Sequence, residues 1–224
     1  MKLVMFDMDG TLIDTAALIG EHMATTFASA GLDLPPPEQV RRVIGLSLPK
    51  AMLTLLGSDD LALAEKLAED YRAHYRASLV KAEGREGLFP GAREALDALR
   101  SRPDTLLGIA TGKGLGGVQR LTELHGIATY FTTLQTPDHN PSKPHPGMML
   151  RAMAETGVDA SQTVIVGDTT FDIEMGKAAG AKAIGVAWGY HHTDELLAAG
   201  ADLLVTSYPD LPAAVDQVLE HQDA

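Results

Sequence analysis

Along the 224-residue chain, short runs of consecutive apolar residues alternate with longer stretches in which apolar positions recur every three or four residues. The runs are LVMF, LLGIAT, YFTTL, TVIVGD, AKAIGVA and DLLVT. Being apolar on successive rather than alternate positions, they predict strands covered on both faces, the environment of a parallel sheet. Stretches such as GAREALDALR, GLGGVQRLTELHG, HPGMMLRAMAETG and FDIEMGKAAG predict helices, several closing on a glycine suited to a helix C-terminus. Strand and helix in alternation predict a doubly wound α/β fold, a parallel Rossmann-like sheet.

One segment breaks the rhythm. From about Thr15 to Leu88 no strand pattern appears; AALIGEHMATTFASAG, PPEQVRRVIG, LPKAMLTLLG and DLALAEKLAEDYRAHYRASLVKAEG read as helices separated by Gly and Pro. That is too much chain for a crossover loop, so it predicts an all-α subdomain inserted between the first two strands. The expected division is a core of residues 1–14 and 89–224 and a helical insert of residues 15–88, with the sheet resuming near GLFPGAREAL.

Composition narrows the partners. Lys and Arg total 18 against 30 Asp and Glu, a net charge of −12, which argues against a nucleic-acid backbone or an anionic membrane surface as the main partner. No cysteine is present, so disulfides and thiolate metal sites are excluded and a reducing cytoplasm is the expected location. The start, MKLVMFDMDG, meets charge too soon for a secretory leader, and no later apolar run is long enough to span a bilayer. Nothing in the pattern bears on oligomeric state.

In open α/β sheets, ligands bind beyond the carboxyl ends of the strands. Chemically loaded residues fall at those ends. Asp7 and Asp9, followed by Gly10 and Thr11, close the first strand; Thr111 and Gly112 follow LLGIA; Lys143 lies in PSKPHP; Asp168 follows TVIV, with Asp172 four residues on. Strand alternation would point Asp7 and Asp9 the same way, two like charges at one spot. Each residue alone has an ordinary reading. Thr111 could cap the next helix, Lys143 could be a solvated loop cation, and Asp168 and Asp172 could complement a helix dipole. Acid pair, hydroxyl, lysine and second acid pair, in order on one edge, point instead to a single site.

DMDGTLID, ATGK, KPHP and GDTTFD resemble, in that order, the four motifs of the haloacid-dehalogenase-like (HAD) superfamily, in particular its phosphoglycolate-phosphatase-like branch with a helical cap after the first motif. The resemblance implies a Mg²⁺-dependent phosphatase acting through an aspartyl-phosphate. It makes Asp7 the nucleophile, Asp9 the general acid/base, Thr111 and Lys143 phosphate ligands, and Asp168 and Asp172 metal-site acids beside Asp7 and the Asp9 backbone carbonyl. Gly10 and Gly112 would offer backbone N–H groups to the phosphate. Residue chemistry favours this assignment, since phosphoryl transfer is mostly positioning and charge stabilisation, and Mg²⁺ takes oxygen ligands. The pattern departs from the family at Gly112, where Asn is common; Lys113 is expected to lend charge nearby.

The implied partner is a small phosphorylated metabolite, phosphoglycolate-like by resemblance. In the insert, Arg41, Arg42 and Lys50 of RRVIGLSLPK either contact an anionic leaving group or form a solvated face. His191 and His192 read as a solvated loop, His145 as a bystander to Lys143, and Met148 and Met149 as helix packing. Two alternatives share this chemistry. One is a phosphomutase similar to β-phosphoglucomutase; the other is a non-enzymatic phospho-acceptor, which the early DxDGT and the insert disfavour.

Overall fold

The computed structural model describes residues 1–78 and 85–220. Six parallel strands form one sheet: β1 (Lys2–Phe6), β2 (Thr105–Ala110), β3 (Phe131–Gln135), β4 (Thr163–Gly167), β5 (Lys182–Val186) and β6 (Leu203–Val205), in the order β3-β2-β1-β4-β5-β6. The chain winds outward from β1 to one side and then crosses to β4 and winds the other way. This reversal puts a crevice between neighbouring strands at the carboxyl edge.

Both faces of the sheet are covered. Val4 and Phe6 pack on one side with Leu96 and Leu99 of α5 (Ala92–Arg100) and Val118 of α6 (Leu115–Leu124). Leu3 and Met5 face the other side, against Met148 and Met149 of α7 (Gly147–Thr156) and Ile173 of α8 (Thr170–Ala178). Met148 and Met149 have no exposed surface, which at about 1.5–3 kcal/mol per buried side chain makes them packing residues, as their helical spacing predicts. The strand pattern is therefore met. Two helices were not read from the pattern: α9 (Thr193–Ala198), which is only six residues long, and α10 (Leu211–Glu220), whose Val215, Val218 and Leu219 join the first face.

Among the described residues, the regular elements between β1 and α5 are helices: α1 (Ala16–Ser29), α2 (Pro37–Arg42), α3 (Leu48–Leu56) and α4 (Leu61–Ser78). They enclose their own apolar cluster, which includes Met23, Phe27, Val40, Met52, Leu67 and Tyr71. The chain leaves and re-enters the sheet domain side by side, with the Phe89 N–H donating to Leu12 O at 2.9 Å and the Asp14 N–H to Gly87 O at 3.1 Å. The predicted continuation of α4 into LVKAEG falls on residues 79–84, outside the described residues. Among the described residues no helix is long and apolar enough to cross a membrane.

Candidate active site

Asp7 directly follows β1 and is fully buried, as are Lys143, Asp168 and Asp172. Lys143 Nζ donates to Asp172 Oδ1 at 2.6 Å and lies 2.9 Å from Asp7 Oδ1. The second contact has the distance of an ion pair without hydrogen-bond geometry, so both Asp7 oxygens are buried with no hydrogen-bond donor. Burial on its own would lower the Lys143 ammonium, but Asp172 and Asp7 reverse this and hold it above its ordinary value. Lys143 is therefore no solvated loop cation.

Asp168, at the end of β4, is held from two sides. Thr11 Oγ1 donates to its Oδ1 at 2.7 Å, and the Tyr190 N–H donates to its Oδ2 at 2.9 Å. Thr11 is itself fixed, because its carbonyl accepts Tyr208 OH at 2.6 Å and Trp188 Nε1–H at 3.1 Å. Asp172 is the third residue of α8, and its Oδ2 accepts the Thr169 hydroxyl at 2.7 Å and the Thr169 N–H at 3.1 Å, a capping box. Its role at the helix start and its place in the site do not compete, because the other oxygen faces Lys143.

Carboxylate oxygens of Asp7, Asp168 and Asp172 all lie within 4.8 Å of one another. With all three buried carboxylates ionised, one ammonium would leave two negative charges uncompensated. The strain shows in the acids: the Asp7 carboxyl is pushed up to about 7, first by burial and then by Asp172 against the opposing pull of Lys143. Asp168 is raised well above the carboxylate range by burial, then by Asp7 and Asp172. An oxygen-rich cluster of acids that resist ionising together, with a donor-free carboxylate, fits a hard divalent cation that would supply the missing positive charge.

Asp9 is placed differently from the alternation argument. The strand stops at Phe6, and a turn at Gly10 carries Asp9 toward a separate cation. Lys113 Nζ lies 3.2 Å from Asp9 Oδ2, while Thr15 Oγ1 donates to Oδ1 at 2.8 Å. The Thr15 N–H in turn donates to Tyr190 OH at 3.3 Å. Each carboxylate of the opening pair thus has its own ammonium, Lys143 for Asp7 and Lys113 for Asp9. Burial would lower the Lys113 ammonium, but Asp9 outweighs it and the net shift is upward.

The turn depends on Gly10. Its φ is +89°, and a Cβ there would lie 2.3 Å from Asp168 Oδ2 and 2.5 Å from Tyr190 Cε2. Gly10→Ala is expected to cost at least about 1–2 kcal/mol, from the left-handed backbone alone, and to displace Asp168. Urea denaturation reads the loss; a variant as stable as the parent would show that the turn relaxes freely.

Thr111 is buried, and its Oγ1 accepts the Lys113 N–H at 3.3 Å. It does not cap α6, which begins at Leu115 and whose first N–H is taken by Asp138 Oδ2 at 2.8 Å. At Gly112 a Cβ would lie 2.5 Å from the carbonyl oxygens of both Gly45 and Leu46, in the turn between α2 and α3. The helical segment therefore sits directly on the second motif and leaves no room for a side chain there.

Arg42 and Lys50 are not brought to this site. Arg42 forms an exposed two-pronged ion pair with Glu195 of α9, NH2 to Oε1 at 2.6 Å and NH1 to Oε2 at 3.2 Å. With Lys50 it lines a separate hollow against Pro144 and Phe171. The backbone of the 43–46 turn, rather than these cations, faces the core edge. His191 also differs from its expected solvated setting: it is buried, its Nδ1 accepts the Thr170 N–H at 3.1 Å, and Nε2 lies 3.3 Å from Arg42 O. His192 is exposed. His145 accepts the Gly147 N–H at 3.1 Å at the start of α7. Thr15 and Tyr190 were not anticipated. Tyr190 lies just past the end of β5, so the strand-end rule that found Asp168 applies to it as well.

The family model for haloacid dehalogenase-like hydrolases matches residues 4–186. The chain is 37% identical to "Probable phosphatase IndB" of Dickeya dadantii over 97% of its own length and 95% of the relative's. It is 30% identical to a phosphoglycolate phosphatase of Vibrio parahaemolyticus, covering 94% of both chains. A solved haloacid dehalogenase-like family hydrolase from Streptococcus pneumoniae superposes with a TM-score of 0.81 at 25% identity, covering 96% of this chain and 98% of that one. The parallel sheet, the buried carboxylates at its edge and the match across both belong together: this chain is a member of the haloacid dehalogenase-like hydrolase family.

Proposed function

We propose that the chain is a Mg²⁺-dependent phosphatase that hydrolyses the phosphate monoester of a small metabolite through a phosphoryl group carried on Asp7. The observation that supports it most directly is the Asp7 carboxylate itself, buried, ion-paired to Lys143 and free of any hydrogen-bond donor that would mask its oxygens. Its relatives, a phosphoglycolate phosphatase among them, support the same class of reaction.

In this reading an Asp7 oxygen attacks phosphorus and the bond to the leaving alcohol breaks. Water then attacks the phosphoryl group, releasing inorganic phosphate and restoring the carboxylate. Lys143, the Thr111 hydroxyl and the N–H groups of Gly10 and Gly112 would face the phosphoryl oxygens, where negative charge spreads during transfer. Asp9, oriented by Thr15, would give a proton to the departing alcohol and take one from the attacking water. Lys113, paired with Asp9, supplies further positive charge beside the transferring group. Mg²⁺ held by Asp7, Asp168, Asp172 and the Asp9 carbonyl would add positive charge where the phosphoryl oxygens gather. The helical insert of residues 15–88 would act as the cap that excludes water from this edge.

A phosphate-release screen over phosphorylated metabolites tests the proposal. Release is expected to vanish in EDTA and to return with Mg²⁺ but not with Ca²⁺, whose looser coordination would misplace Asp7. Full activity in chelator would overturn the metal assignment. Transfer to a sugar without net release would replace the phosphatase with a phosphomutase.

A further inference from the structure

Between the helical segment and the core edge lies a cavity of about 520 Å³, with Asp9 and Lys113 on its wall. A pocket of that size matches a drug-sized ligand and is far larger than a two-carbon acid needs. The helical side is apolar: Ile19 and Met23 of α1, Val43 and Ile44 of the turn, Leu48 of α3 and Tyr71 of α4 line it. The core side is the start of α6, where Gly114, Gly116 and Gly117 present backbone and no bulk. The space is contiguous with the site because Asp9 borders it, so it is where the alcohol half of a phosphate ester would lie.

Charged groups around this cavity are mostly committed. Lys113 is paired with Asp9, and Arg120 with Glu86 at 2.5 Å. Asp138 accepts the Leu115 N–H and the Thr136 hydroxyl, both at 2.8 Å. Arg72 and Arg76 are different. They sit one turn apart on α4, exposed at the cavity's edge, and no ion pair or hydrogen bond engages either among the described residues. In a chain of net charge −12, two unpaired guanidinium groups beside an otherwise apolar space form a local attractor for an oxyacid group, whose geometry matches their forked donors.

Resting on the phosphatase reading, we infer that the leaving group is a bulky, largely apolar alcohol that carries a second oxyacid group, and that Arg72 and Arg76 bind that group while the apolar wall takes the body between. The phosphoryl end lies at Asp7 and the second anion at the cavity's edge. Phosphoglycolate has its carboxylate too close to the phosphate to use both ends of this arrangement.

Two homologous series of esters decide it, alkyl phosphates and ω-carboxyalkyl phosphates of increasing chain length, with phosphoglycolate as the shortest member of the second and α,ω-alkane bisphosphates as a third arm. The expected result is a kcat/KM that climbs with chain length, by up to about fourfold for each methylene buried. At intermediate length the carboxylated or bisphosphorylated ester should exceed the plain one by about tenfold or more, and whichever does so identifies the oxyacid. In Arg72→Ala/Arg76→Ala that ratio should fall to near one. On an Asp7→Asn background, titration calorimetry should show the same loss in Kd without turnover. A flat chain-length series with phosphoglycolate preferred, or a ratio unchanged in the double variant, overturns the inference while leaving the phosphatase reading in place. If no ester of any length yields phosphate with Mg²⁺ present, the phosphatase reading itself fails.

Discussion

Asp7→Asn is expected to reduce phosphate release by on the order of 10³-fold or more while leaving the protein folded. The amide is close in shape to the carboxylate but carries no charge and cannot attack phosphorus. The usual ambiguity of such a result, loss of chemistry against loss of fold, is removed by the environment of this residue. Burial and the neighbouring Asp172 push the Asp7 carboxyl up to about 7, so its ionised form opposes the metal-free fold at neutral pH. A group whose pKa is raised on folding contributes stability that is present at low pH and lost as pH rises through the folded value. Removing that carboxylate should therefore make the metal-free protein no less stable at pH 8, and the difference from wild type should shrink as pH falls toward 5. Thermal unfolding of the two proteins across that range, alongside the assay, checks both halves. A variant that retained a substantial fraction of wild-type release would refute Asp7 as the group that takes the phosphoryl.

Lys143→Met is expected to be the most damaging single change to the fold. Among the described residues its ammonium is the only positive charge within ion-pair distance of the buried Asp7 and Asp172, and it has no exposed surface. Removing one partner from a buried ionic cluster commonly costs about 3–5 kcal/mol, because the remaining carboxylates stay desolvated without compensation. Met fills a similar volume, so the loss reports charge rather than a hole. Urea denaturation should show this cost in EDTA and a smaller one at millimolar Mg²⁺, since a bound dication restores part of the missing charge. Release of phosphate should fall on every ester tested, because Lys143 would face the transferring group common to all. A variant that matched wild type in stability without metal would show that the carboxylates are neutralised by other means.

Much of this was legible in the sequence. The central strands announced themselves because burial on both faces demands largely apolar runs such as LVMF and TVIV. The site followed from the same edge: Asp7, Thr111 and Asp168 sit where their strands end. Partnerships were harder to see. That Asp7 and Asp9 go to different lysines depends on where β1 stops and on a left-handed turn at Gly10, which alternation alone does not report. Arg42 illustrates a second limit. A cation near a predicted loop suggests a ligand contact, but its partner is Glu195, more than 150 residues away in the chain, and only the docking of α2 beside α9 brings them together. His191 fails the solvated-loop expectation for the same reason, because the backbone of α2's last residue closes over it.

The fit at Gly112 ties two distant stretches of chain into one packing unit. An Asn at that position, which the family motif leads one to expect, would need space now filled by the Gly45 and Leu46 carbonyl oxygens. Neither stretch can drift alone. A larger residue at position 112 would fit only if the 43–46 turn were reshaped or its helices seated further out. With glycine there, the turn joining those helices can press directly against the core edge. Residue 112 thus records, in a single letter, how closely the two halves of this protein have come to fit.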